Sequence, residues 1–118
     1  MPVSYVPLSA GFSTADAEYP SMTYELGTLV FRFVDWQDRK VIIHFVDTVA
    51  FKWQDDAILP PAIRDDTSYE VVNSPWLAEL IALGATGQTS RHYKLCLNAA
   101  GVLDVVFGQL VVESSSVG

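Results

Sequence analysis

Few residues in this chain could do chemistry. His44 and His92 are the two histidines of the 118 residues, and Cys96 is the one cysteine. Two imidazoles with a carboxylate would suffice to hold a transition metal, and a single imidazole could act as a general base. The spacing argues against both uses. The histidines fall in different β-rich stretches, with no i,i+4 relation that would put them on one helix face. His44 lies mid-strand in an apolar run, which suits a hydrogen-bonded core or interface histidine. His92 is expected to face solvent near Lys94 and Asp104. A nucleophilic Cys96 would need a base within reach. His92, four residues earlier in an extended strand, shares its face but lies about 13 Å away along it. Cys96 therefore reads as a small strand residue.

Other patterns fare no better. Asp55-Asp56 and Asp65-Asp66 flank Leu59-Pro60-Pro61 in a stretch over residues 54–66, but calcium loops alternate their oxygen ligands around a central glycine and end on a glutamate. Adjacent acidic pairs suit a solvated loop. Gly84-Ala85-Thr86-Gly87 follows a helical segment, whereas a phosphate cradle needs glycines before a helix N-terminus. Trp36, Trp53 and Trp76 could line a ligand site, although packing is the commoner use of tryptophan. No catalytic, metal-binding or cofactor-binding residue is expected.

The elements around these residues are legible. Residues 1–20, punctuated by Pro2, Pro7, Gly11 and Pro20, form an N-terminal arm in which Val3 to Leu8 can make a short edge strand. Tyr24 to Asp35 and Lys40 to Trp53 are two long β-rich runs joined at Trp36-Gln37-Asp38-Arg39, a hairpin pattern. Pairing Asp35 with Lys40 sets Leu29, Phe31 and Phe33 opposite Val46, His44 and Ile42. The other face then carries Val30, Arg32 and Val34 opposite Phe45, Ile43 and Val41. Both faces are mostly apolar, so this hairpin is expected to lie centrally, covered on both sides. Gly27 marks a bulge or bend, and Thr67 to Val72 is a third strand. Asn73-Ser74-Pro75-Trp76-Leu77 opens a helix over residues 75–83, with Ser74 as N-cap, Pro75 at the first helical position and Gly84 ending it. Arg91 to Leu97 and Val102 to about Glu113 form a second hairpin around Asn98-Ala99-Ala100-Gly101. Its Tyr93, Leu95 and Leu97 face Phe107, Val105 and Leu103. Its other face, with His92, Lys94, Cys96 and Asp104, is expected to meet solvent. Ser114 to Gly118 is expected to fray.

This pattern predicts one domain over residues 1–118 of the mainly-β class, an antiparallel sheet, sandwich or partly open barrel of about five to seven strands with one short helix. Half the residues are apolar, enough for a core. Fourteen acidic against seven basic residues give a net charge of −7. That balance disfavours nucleic acid and anionic lipid as partners. No signal sequence or apolar span is evident, and one cysteine is compatible with a reducing compartment, so a cytoplasmic location is expected.

Val46-Asp47, Glu70-Val71, Asn73 to Leu77, His92-Tyr93-Lys94-Leu95 and Leu103-Asp104-Val105 together resemble a group of small uncharacterised bacterial domains, some similar to immunity proteins of toxin systems. The resemblance spans roughly residues 24–113. It implies a non-enzymatic bacterial protein that binds another protein, in the immunity-like case a toxin, and it supplies no catalytic residues. A small-molecule-binding barrel or minor enzyme, and a structural subunit of a bacterial assembly, are the competing expectations. An apolar two-sided hairpin also needs a cover, which favours a homodimer. The expected partner or pocket surface is Phe31, Phe33, Trp36, His44 and Phe45.

Overall fold

A computed structural model of the chain describes residues 2–8, 10–55, 63, 67–97 and 101–116. Among these, nine strands and one helix follow in the order β1 (Ser4–Pro7), β2 (Glu18–Glu25), β3 (Thr28–Val34), β4 (Arg39–Val46), β5 (Ala50–Gln54), β6 (Ser68–Val72), α1 (Pro75–Ala82), β7 (Arg91–Leu97), β8 (Gly101–Phe107) and β9 (Gln109–Ser116). They build two antiparallel sheets, one of order β1-β6-β7-β8-β5 and one of order β2-β3-β4-β9, and the pair does not close into a barrel. The mainly-β class with one short helix is as expected.

The strand number exceeds the expectation because each long β-rich run bends. Leu26 and Gly27, both at positive φ, make a two-residue turn between β2 and β3, in which Glu25 pairs with Thr28. Such turns need both central residues left-handed, which is the role of Gly27. The runs 40–53 and 102–113 break at one corner, where both runs pass from one sheet to the other. There Asp47 takes a φ of 56°. The Thr48 hydroxyl donates to the Phe45 carbonyl at 2.6 Å and accepts the Leu29 N–H at 3.2 Å. The Val49 N–H reaches the Val106 carbonyl at 2.8 Å, and the Gly108 N–H reaches that of Val46 at 3.0 Å. The β4–β9 ribbon thus continues as β5–β8 across the bend, as at the corners of packed sheets. Of the tail expected to fray, Ser114 to Ser116 complete β9, pairing with Val41, Lys40 and Arg39, and residues 117–118 lie outside the described residues.

The first hairpin is shifted by one residue from the expected register. Val34, rather than Asp35, pairs with Lys40, and Phe31 lies opposite Ile43. The cause is the turn. Asp38 adopts a φ of 58°, and the Asp35 N–H bonds the Arg39 carbonyl. The Asp35 carboxylate accepts the Gln37 and Arg39 N–H groups, each at 2.9 Å, and the Arg39 Nε–H at 3.0 Å. One residue of slip moves every β4 side chain to the other face relative to β3. Leu29, Phe31, Phe33, Val41, Ile43 and Phe45 consequently all point into the core, and all six are buried. Against them pack Tyr93, Leu95, Leu97, Leu103, Val105 and Phe107 of the other sheet. Phe107 meets Phe45 and Tyr93 edge-to-face, with ring centroids 5.0 and 4.7 Å apart. Burying each such ring contributes roughly 1.5–3 kcal/mol.

In the second hairpin Leu95 pairs with Leu103 and Tyr93 with Val105, two residues from the expected register, which leaves the faces unchanged. The turn residues 98–100 lie outside the described residues. Gly101 is described, at a φ of 143°, and a Cβ there would stand 2.5 Å from the Trp53 ring. The strands' environment differs from expectation. Every residue of β8 is buried, as are five of the seven in β7. It is this hairpin that is covered on both sides. The β3–β4 hairpin keeps one face open, so the expected roles of the two hairpins are exchanged.

Candidate functional site

The cover over the five-stranded sheet begins at helix α1. Ser74 is its N-cap, accepting the Leu77 N–H at 3.1 Å, and Pro75 opens the helix. At the other end Gly84, φ 75°, lets its own N–H and that of Ala85 bond the carbonyls of Ile81 and Leu80, a Schellman closure. The sheet beneath presents a cross-strand row of Lys52, Asp104 and Lys94, with His92 on the same face two residues from Lys94. Docking the helix end on this face assembles a polar chain. Ser74 Oγ lies 2.7 Å from His92 Nδ1, and His92 Nε2 lies 2.7 Å from Asp104 Oδ1. Lys94 Nζ donates to both Asp104 oxygens, at 3.1 and 3.3 Å. Trp76 lies edge-on to the imidazole at 5.2 Å, and Lys52 Nζ sits 4.8 Å from the Trp76 ring centroid. Burial by itself would raise the Asp104 carboxyl; the His92 hydrogen bond and the Lys94 charge outweigh it and hold the group below the usual carboxylate range.

Serine, imidazole and carboxylate in one hydrogen-bonded chain are the components of a nucleophilic relay. The geometry fits a latch better. With Nε2–H donated to Asp104, Nδ1 accepts a hydrogen bond from the Ser74 hydroxyl while the same oxygen caps the helix, so the one Ser74 donor is engaged in the chain. In a nucleophilic relay the serine faces Nε2 and the carboxylate faces Nδ1, the reverse of this ring's orientation. Ser74 is 4% exposed, and neither of the two described surface grooves borders it. His92, expected at the surface, is 7% exposed because the helix end covers it. Sequence reasoning placed His92, Lys94 and Asp104 on one face; Ser74 and Trp76, far from them in sequence, gave no comparable sign.

The second surface is the outer face of the four-stranded sheet. It carries Val30, Arg32 and Val34 from β3, Lys40, Ile42, His44 and Val46 from β4, and Val111 and Glu113 from β9. None of these residues is buried. His44 Nε2 lies 2.6 Å from Glu113 Oε2, a pair open to solvent. A shallow groove of about 270 Å³ runs beside Tyr19, Arg32, Val34, Lys40 and Ile42. Of the expected surface residues, His44 and the exposed Trp36 lie outside the core, His44 on this face and Trp36 in the β3–β4 turn. Phe31, Phe33 and Phe45 are instead enclosed between the sheets; the one-residue register shift is what brings Phe45, in place of His44, to the face of Phe31 and Phe33. His44 and His92 lie on the outer faces of different sheets, and Cys96 is fully buried beside Tyr69, Val102 and Ile63. The acidic pair Asp65-Asp66 and Asp56 lie outside the described residues; Asp55 accepts the Trp53 Nε1–H at 2.6 Å. No helix among the described residues is long and apolar enough to cross a membrane.

No protein-family model, curated protein or solved structure matches this chain.

Proposed function

We propose that the chain is a non-enzymatic protein-binding domain that seats its partner on the outer face of the four-stranded sheet and works as a homodimer. One contrast carries this reading. The five-stranded sheet has its outer face covered by the helix end and Ile63, whereas the four-stranded sheet leaves Val30, Val34, Ile42, Val46 and Val111 unburied among Arg32, Lys40, His44 and Glu113. An apolar centre interleaved with charge is the composition of a non-obligate interface. A net charge of −7 speeds encounter with a basic partner, so immunity-like neutralisation of a basic bacterial toxin in the cytoplasm is the partner class we favour. The groove favours a small-molecule reading less, since its 270 Å³ falls below the usual ligand-pocket range of roughly 300–1,000 Å³.

The test compares affinity capture from the source cell by the wild-type chain, by Ile42→Asp on the open face, and by Glu79→Lys on the helix. One protein retained by wild type and Glu79→Lys and lost with Ile42→Asp supports the reading. Identical capture by all three chains contradicts it.

A further inference from the structure

A sheet edge is a row of unpaired N–H and C=O groups, and proteins blunt the edges they do not use. Three of the four edges here are blunted. β1 is four residues long and ends in Pro7. β2 contains Pro20, and its register with β3 breaks between Glu18 and Ser21, where Tyr19 takes a φ of 54°. β5 is five residues long and carries Lys52 at its centre. The fourth edge, β9, has none of these devices. Its eight residues, Gln109-Leu-Val-Val-Glu-Ser-Ser-Ser116, pair with β4 in unbroken register from Gln109 to Ser116. They include no proline, no lysine and no arginine, and Glu113 is the one charge. Leu110 and Val112 face the core yet are only partly buried, and Val111 on the open face is 50% exposed. Among the described residues β9 pairs on one side only.

We infer that the free edge of β9 is the homodimer contact, pairing antiparallel with β9 of a second copy about a two-fold axis through Val111. The occupant follows from side-chain matching. Directly opposite residues in an antiparallel pair share a face, so a symmetric pair must centre on a residue. Centring on Val111 sets Val111 against its own copy on the open face, Leu110 against Val112 on the core side, and Glu113 against Gln109. Centring on Glu113 would oppose two like charges, and centring on Val112 would set Leu110 against Ser114 and Val111 against Glu113. The chosen axis joins two four-stranded sheets into one eight-stranded sheet. It completes burial of Leu110 and Val112 and leaves the open face free for a partner. The inference rests on the homodimer in the function proposed above.

Sedimentation equilibrium of the full chain at low to high micromolar concentration tests it. Wild type should be a dimer that dissociates on dilution. Val111→Lys and Val111→Glu change an exposed side chain, so each should fold, which circular dichroism checks, and each should weaken self-association by up to about fivefold, the scale of like charges directly opposed across a sheet. An equimolar mixture of V111K and V111E places opposite charges across the axis and should restore the dimer. A wild-type monomer at high micromolar concentration overturns the homodimer itself. A dimer unchanged by either substitution overturns the β9 contact while leaving the homodimer standing. Variants that dissociate but are not restored by mixing overturn the axis at Val111.

Discussion

Asp104→Asn tests whether the buried polar chain under the helix is a structural latch. The side chain keeps its shape and loses its charge. In the native protein the carboxylate is 1% exposed and accepts hydrogen bonds from His92 and Lys94. Lys94 has a side-chain exposure of 16%, too little for water to replace the lost anion. Removing one partner of a buried pair costs about 3–5 kcal/mol. The lower end is expected, near 3 kcal/mol, because an asparagine oxygen can still accept one hydrogen bond. At about 4 °C per kcal/mol for a domain of this size, Tm should fall by roughly 12 °C at pH 7. Acid gives an independent check. The folded-state pKa of Asp104 is depressed, so its stabilisation is fully present above the unfolded value of about 3.9 and is lost as pH falls through the folded value. Urea titrations of both proteins from neutral to acid pH should therefore show a gap in unfolding free energy that narrows below about pH 4. A gap under 1 kcal/mol at neutral pH, or one that does not narrow in acid, would refute the latch.

Three further outcomes follow from local geometry. Ser74→Ala removes both the helix cap and the partner of His92, and should cost about 1–2 kcal/mol, with faster hydrogen exchange at the Leu77 and Ala78 amides. Leu26→Asn should stabilise by about 1 kcal/mol in denaturant melts, because Leu26 is 96% exposed and sits at a φ of 52° that asparagine adopts more readily. A loss of stability there would mean that the leucine has a packing role. Gly101→Ala should destabilise by about 1–3 kcal/mol and shift Trp53 fluorescence, since its Cβ collides with the Trp53 ring. Unchanged emission would place that ring elsewhere.

Locally encoded features were the legible ones. The helix of residues 75–82, its Ser74 cap, Pro75 opening and Gly84 end depend on residues within one turn of each boundary, and β1 and β6 depend on short punctuated runs. The register of the first hairpin was not legible. It turned on whether Asp38 would accept a left-handed conformation, which a hydrogen-bonded Asp35 turn makes possible but residue type alone does not demand. That single choice decides whether Phe45 or His44 joins the core, and so which residues form the surface. Likewise, the breaks at Asp47 and Gly108 lie inside long β-rich runs, where a lone Asp or Gly fits a bulge as well as a corner. They exist because two sheets must meet there.

The sequence by itself determined the class of this protein, its helix and caps, its acidic surface, and the alternation that puts Tyr93, Leu95 and Leu97 on one side of their strand. Tertiary structure alone decided which faces stay open. A strand's period of two assigns residues to faces without saying what covers either one. The helix end that turns His92 from a solvent residue into the centre of a buried chain, and the sheet order that leaves one edge of β9 free among the described residues, arise from contacts between segments distant along the chain.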